Sequence, residues 1–229
     1  MYSDLSSSQI TPMAHRSTEI LTRREAIGTC PTVLGDIYRD DTNIAVWERE
    51  LPEAVQNAVS ALIIEKPHYR ASMNVTPDNV RESLEESLDP LLHQMLINDI
   101  ELLVNMFCCL FDLKRAGLRL TVIDKAMCPR FHTDKVPCRL VTTYQNVATE
   151  WLPHNLADQS KLGMGSGGKP DNESGLFNGK EDIRQLHCFD VALLKGESWE
   201  GNEEAGLVHR SPAHDPSQSR LLLTLDFAD

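Results

Sequence analysis

Three kinds of segment are missing from this 229-residue chain: an apolar run long enough to span a bilayer, a basic stretch suited to nucleic acid, and a paired-cysteine framework. The most apolar run, residues 102–113, is flanked or interrupted by Asp99, Glu101 and Asp112, whereas a spanning helix needs about 20 mostly apolar residues. It reads as a core helix. Lys and Arg number 22 against 34 Asp and Glu, for a formal charge of -12, so the summed field repels phosphate backbones and anionic lipid. Neither nucleic acid nor a membrane is an expected partner. The six cysteines (Cys30, Cys108, Cys109, Cys128, Cys138, Cys188) form no C-x-x-C pair and lack the density of a secreted mini-domain. Reduced thiols fit best. No apolar h-region follows a basic start near the N-terminus, so the expected location is the cytoplasm. The glycine-rich run at 163–168 is followed by Lys169 and Pro170, which breaks the G-x-x-x-x-G-K-[ST] pattern of a phosphate loop.

What is present suits one core. The apolar fraction of 41% and charged fraction of 24% are ordinary for a globular fold. Residues 1–30 read as a flexible lead-in, or alternatively as a helix over part of 17–26. Residues 31–117 read as a helical buttress. Apolar positions recur at helical spacing over 52–66, again from Thr76-Pro77 to about Asp89, and then over 90–116, with Gly117 as the stop. Residues 118–229 read as strands, because Leu118, Leu120 and Val122 alternate with polar neighbours and Leu221, Leu223, Leu225 and Phe227 share one face of the last segment. The stretch 158–180, rich in Gly, Asn, Ser and Lys, reads as a mobile insert, a plain surface loop in preference to a lid. The expected class is α+β, a sheet or barrel buttressed by N-terminal helices.

The chemistry concentrates in His132-Thr133-Asp134. Side chains two apart on a strand point the same way, so the imidazole and carboxylate would converge. One such pair is expected by chance in a chain this acidic. His209 after Glu203-Glu204-Ala205-Gly206, and Arg220 on the last strand, raise its weight: two histidines and one carboxylate can occupy one face of an octahedral metal and leave positions open. Alternatives stand beside this reading. His132 and Asp134 could form a structural hydrogen bond, Arg220 could pair with Asp226 or Glu150, and Cys128, Cys138 and His187-Cys188 invite zinc. His154 and His214 sit in loops where each could touch substrate, although a solvated histidine is the simpler state.

The order H-x-D, a distant His, then an Arg about ten residues on resembles the iron and 2-oxoglutarate dependent oxygenases with their double-stranded β-helix, a cupin or jelly-roll-like barrel. More closely, the block from Cys128 to Tyr144 (CPRFHTDKVPCRLVTTY), with Glu150-Trp151-Leu152-Pro153, Leu193-Leu194-Lys195-Gly196-Glu197-Ser198-Trp199 and His209-Arg210-Ser211-Pro212, resembles an uncharacterised bacterial family. The likeness covers roughly residues 118–227 and departs at Asn146 and Ala148, where that family usually has Gly. It implies Fe(II) on His132, Asp134 and His209, with 2-oxoglutarate paired to the Arg220 guanidinium. Tyr144 and Thr142 are then candidates to hydrogen-bond the co-substrate, and Arg139, Glu150 and Trp151 to line a pocket for a small molecule or protein side chain. The competing readings are a non-catalytic metal-binding or metal-homeostasis protein, perhaps of zinc, and a metal-free cupin-like interaction module.

Overall fold

The computed structural model describes residues 22–213 and 218–228. The expected lead-in therefore lies mostly outside the described residues, as does His214. At its described end the chain is a strand and not a helix: β1 (Arg24–Gly28) runs parallel to β2 (Thr42–Trp47), with a 3-10 helix (Pro31–Tyr38) between them.

Three α-helices follow the predicted periodicity, with adjusted ends. They are α1 (Glu53–Glu65), a short α2 (Val80–Glu85) and α3 (Pro90–Phe111). The Asp89 side chain accepts from the Leu91 backbone N–H at 2.9 Å, and Pro90 needs no partner in the first turn, so α3 begins there. It ends five residues before Gly117, at Asp112, whose left-handed φ of 52° stops the helix and is tolerated by a short polar side chain. Although α3 has the length and apolarity of a spanning segment, Leu96, Ile97, Ile100, Leu103, Val104 and Phe107 seal its inner face against the core.

The remaining strands are β3 (Arg70–Val75), β4 (Ala116–Ile123), β5 (Cys138–Gln145), β6 (Glu150–Leu152), β7 (Arg184–Gln185), β8 (Val191–Lys195), β9 (Val208–Arg210) and β10 (Arg220–Phe227). With β1 and β2, five of these form a seven-stranded sheet in the order β1-β2-β8-β5-β10-β4-β3, antiparallel apart from the β1–β2 pair; β7, β6 and β9 form a second sheet. The N-terminal half is thus not only a helical buttress, since it supplies β1, β2 and β3. The segment Ile44-Ala45-Val46 lacks alternation because both of its faces are covered: Ala45 meets the helices, while Ile44 and Val46 look toward the small sheet.

Alternation along β10 divides the molecule. Leu221, Leu223 and Leu225 pack with the helices in the main core. Arg220, Leu222 and Thr224 face a cavity on the other side, as do Arg119 and Thr121 of β4 and Arg139 and Val141 of β5. A second apolar cluster, centred on Trp151, Val141, Ala192, Leu194 and Leu207, fills the space between the sheets. Trp151 is therefore core and not pocket wall.

The insert at 158–180 is also better ordered by contacts than its composition predicts. Leu176 is buried with Phe131, Leu152 and Val208, with Leu162 and Phe177 packed alongside. Asp171 accepts from the Phe131 backbone N–H at 2.9 Å, tying the insert to the residue before His132.

On the helical side, Arg49 makes two bonds to Asp99, at 2.6 and 2.9 Å, and the Tyr144 hydroxyl donates to the same carboxylate at 2.6 Å. Burial, then the Asp99 charge, pushes the Tyr144 phenol well up. Arg49→Ala leaves that carboxylate without its cation, a loss that in buried pairs costs several kcal/mol. Because Arg49 borders an open cleft that water can enter, the expected cost is about 2 kcal/mol, read by urea denaturation, with metal content unchanged. A fall in metal content without a fall in stability would contradict the structural role.

Candidate metal centre

The three predicted ligands meet. One donor atom each from His132, Asp134 and His209 lies within 4.8 Å of the others. They meet by a different route from the pleat expected: His132 lies outside any named strand, and Asp134 follows in a loop. An isolated bridge holds the two histidines, His132 N–H donating to the His209 carbonyl at 3.0 Å and His209 N–H to the His132 carbonyl at 2.9 Å. Their rings lie 4.6 Å apart, tilted by 48°. Each Nδ1 sits beside a backbone carbonyl, Arg130 at 3.0 Å for His132 and Leu207 at 3.1 Å for His209. Donation there fixes the tautomer and leaves Nε2 as the free lone pair. Both Nε2 atoms face Asp134, at 3.8 Å from Oδ1 for His132 and 3.4 Å from Oδ2 for His209.

Asp134 is itself oriented. Arg139 donates to its Oδ2 at 2.7 Å and also to both oxygens of Asp226, at 2.7 and 3.1 Å; Arg119 donates to Asp226 at 2.7 Å. The loop after Asp134 is braced from beneath, with Gly196 N–H donating to the Pro137 carbonyl and Glu197 N–H to the Asp134 carbonyl, both at 2.9 Å. A Cβ on Gly196 would overlap the Val136 carbonyl oxygen, so only glycine permits this approach.

Burial opposes a charge on Asp134, yet the hydrogen bond and charge of His209, with Arg139 and His132, hold its pKa down at about 2. Burial, then the neighbouring His209, lowers the His132 pKa. An ionised carboxylate and a neutral imidazole are the forms that bind metal, because protons compete for the same lone pairs. Since burial and His209 push protonation of His132 below its ordinary 6.5, His132 is expected to compete less with Mn(II) on acidification than an unperturbed imidazole would, as read by Mn(II) titration across pH. A decline already complete at about pH 7 would contradict this.

Arg220 completes the cavity of about 140 Å³ that also contains His132 and His209. Its side chain is fully buried, and burial pulls its pKa down to about 10. Among the described residues it donates only to hydroxyls, Ser211 at 2.9 Å, Thr143 at 3.1 Å and Thr149 at 3.3 Å, and its Nε has no partner. Neither Asp226 nor Glu150 pairs with it, since Asp226 belongs to Arg139 and Arg119 and Glu150 to Arg210 at 2.6 Å.

Two other predicted contacts fall on the far face. Tyr144 is committed to Asp99, and Thr142 reaches only the Phe189 carbonyl, at 3.5 Å. The residues beside Arg220 are instead Thr143 and Thr149, which the sequence reading missed. Arg139 lines the cavity as expected; Glu150 stands behind it as the partner of Arg210. Among the described residues no cysteine belongs to the metal-ligand group. Cys138 is buried with the helices and Cys128, although it lines the cavity, stands outside that group, so thiol ligation gives the zinc reading no support.

Comparison with solved structures extends this geometry. The chain resembles the Arabidopsis thaliana dioxygenase for auxin oxidation 1, solved as a 2-oxoglutarate binary complex, with a TM-score of 0.53 and 8% identity over 91% of this chain and 93% of that one. It also resembles a Shewanella oneidensis structure described as a "Putative oxygenase", with a TM-score of 0.50 and 9% identity over 89% of each chain. At such identities the likeness is one of fold: a mixed α/β structure with a large antiparallel sheet, as in 2-oxoglutarate oxygenases. No curated protein sequence matches. A family model does match, over residues 28–226, and by that match the chain belongs to the family DUF1826, described as a protein of unknown function.

Proposed function

We propose that this protein is a non-haem Fe(II) and 2-oxoglutarate dependent oxygenase, its two sheets forming the walls of a double-stranded β-helix. The observation that carries the reading is Arg220: a buried cation with an unpartnered N–H, sharing one cavity with two histidines beside a carboxylate. A protein gains nothing in stability from such a cation alone, because isolated buried charge is costly. A carboxylate ligand would supply the missing partner, and the planar fork suits it.

The donor set fits Fe(II), since two imidazoles and one carboxylate leave coordination positions open. His132, Asp134 and His209 would hold the metal, and Arg220, with Thr143 and Thr149, would hold the distal carboxylate of 2-oxoglutarate. With dioxygen, these groups supply oxidative decarboxylation to succinate and carbon dioxide, coupled to insertion of one oxygen atom into a substrate C–H bond. The chain orients and shields. Arg139 restrains Asp134 at Oδ2, leaving Oδ1 free to turn toward the metal. Leu222, Val141 and Met127 make part of the wall apolar, limiting water. No side chain is needed as nucleophile.

The direct test is succinate formation by protein loaded with Fe(II) without oxygen and then given 2-oxoglutarate and air. Slow turnover without added substrate is expected. A preparation that binds iron but neither binds nor consumes 2-oxoglutarate would favour a non-catalytic metal-binding role.

A further inference from the structure

The metal cavity is too small to hold the substrate as well. Its 140 Å³ lies well below the size of an ordinary ligand pocket. A metal and 2-oxoglutarate would fill it, so a third reactant must lie mainly outside. Ligand pockets usually run to about 300–1,000 Å³, and a cleft of about 500 Å³ adjoins the cavity. Arg210 is a wall of both. The segment from Cys128 to His132 passes between them, with Cys128 and His132 on the cavity and Pro129 and Arg130 on the cleft.

The far wall of this cleft is the insert, which brings Pro170, Asn172, Phe177 and Lys180, with Ile183 just after it. Its position is fixed from both sides. Asp171 binds Arg130 and Arg210, each at 3.3 Å, and Phe131 stacks between Arg210, 4.2 Å from its ring centroid, and Phe177, 5.7 Å away. The chemistry is mixed: an apolar lining of Pro129, Pro170, Phe177 and Ile183, with three cations at the margins. Asp171 and Glu150 answer two of these cations. Lys180 is exposed and has no ion-pair partner among the described residues. Three cations line the cleft against the single carboxylate of Asp171, so the lining itself favours an anion over a cation, although Glu181 and Asp182 follow Lys180 in its turn.

We infer that this cleft is the substrate subsite and that it takes an elongated organic anion, an apolar body on Phe177 and Ile183 with its carboxylate toward Lys180. The inference rests on the oxygenase reading for the word substrate, but the binding it requires can be measured without turnover. The probes are decanoate and 4-phenylbutyrate, each beside its primary amide, titrated calorimetrically into full-length protein holding Mn(II) and 2-oxoglutarate. Both carboxylates are expected to bind at least tenfold more tightly than their amides.

Lys180→Glu is expected to weaken carboxylate binding at least fivefold, and Asn172→Trp, which fills the cleft from an exposed position, to abolish it. Both variants should retain wild-type Mn(II) and 2-oxoglutarate affinity; absence of 2-oxoglutarate binding by the wild type would overturn the oxygenase reading separately. Equal binding of acid and amide, no binding of either, or unchanged carboxylate binding in both variants would overturn the subsite. In air, with Fe(II), the carboxylates should also raise succinate formation above the slow background.

Discussion

Arg220→Met is expected to stabilise the ligand-free protein while weakening 2-oxoglutarate binding by about a thousandfold. Burial draws the Arg220 pKa from 12.5 to about 10, and at about 1.4 kcal/mol per unit the charged form carries a penalty on the order of 3 kcal/mol. Methionine fills similar space without that penalty. What is lost is three hydrogen bonds to Ser211, Thr143 and Thr149, whose hydroxyls can rotate toward other acceptors. The expected net change is a gain of about 1 kcal/mol in stability, read by thermal or urea unfolding. In the ligand complex the same cation faces a carboxylate, and truncating one partner of such a pair costs about 2–5 kcal/mol. A destabilised variant with normal 2-oxoglutarate affinity would mean that Arg220 is a structural residue.

Asp134→Asn is expected to lower Mn(II) or Fe(II) affinity at least a thousandfold with little change in fold. The amide keeps the shape but removes the only anion among the three donors, and hard divalent ions depend on carboxylate oxygen. Arg139 retains both bonds to Asp226, so it is not stranded. Stability of the metal-free variant should stay within about 1 kcal/mol of the parent, as Asp134 is partly exposed. Unchanged metal affinity would remove Asp134 from the ligand set.

The sequence revealed the site more fully than the architecture around it. Along 220–227 one face is wholly apolar (Leu221, Leu223, Leu225, Phe227) and the other mixed (Arg220, Leu222, Thr224, Asp226), which marked the face of β10 that carries Arg220. β5 gave no such phase. Leu140 and Val141 are neighbours and both buried, one toward the helices and one between the sheets, so Tyr144 and Thr142 were placed on the wrong side. The clue was parity: Arg139 and Tyr144 are an odd number apart and cannot share a face of an unbroken strand. Taking Arg139 as the cavity residue leads to Thr143 directly. Thr149 and the anchoring of the insert by Asp171 and Leu176 depend on contacts across tens of residues, for which local pattern has no signal. The strands β2 and β3 were missed for related reasons. β2 is apolar on both faces, and β3 (Arg70–Val75) lies at the sheet edge with a weakly marked apolar face.

The central claim is that metal and co-substrate occupy one cavity and depend on each other there. Anaerobic calorimetric titration of 2-oxoglutarate into the wild-type protein, with and without Mn(II), tests it most directly. The account predicts one 2-oxoglutarate per chain in the presence of metal and at least a tenfold loss of affinity when a chelator removes it. Affinity that is indifferent to the metal, or no binding in its presence, would contradict the account.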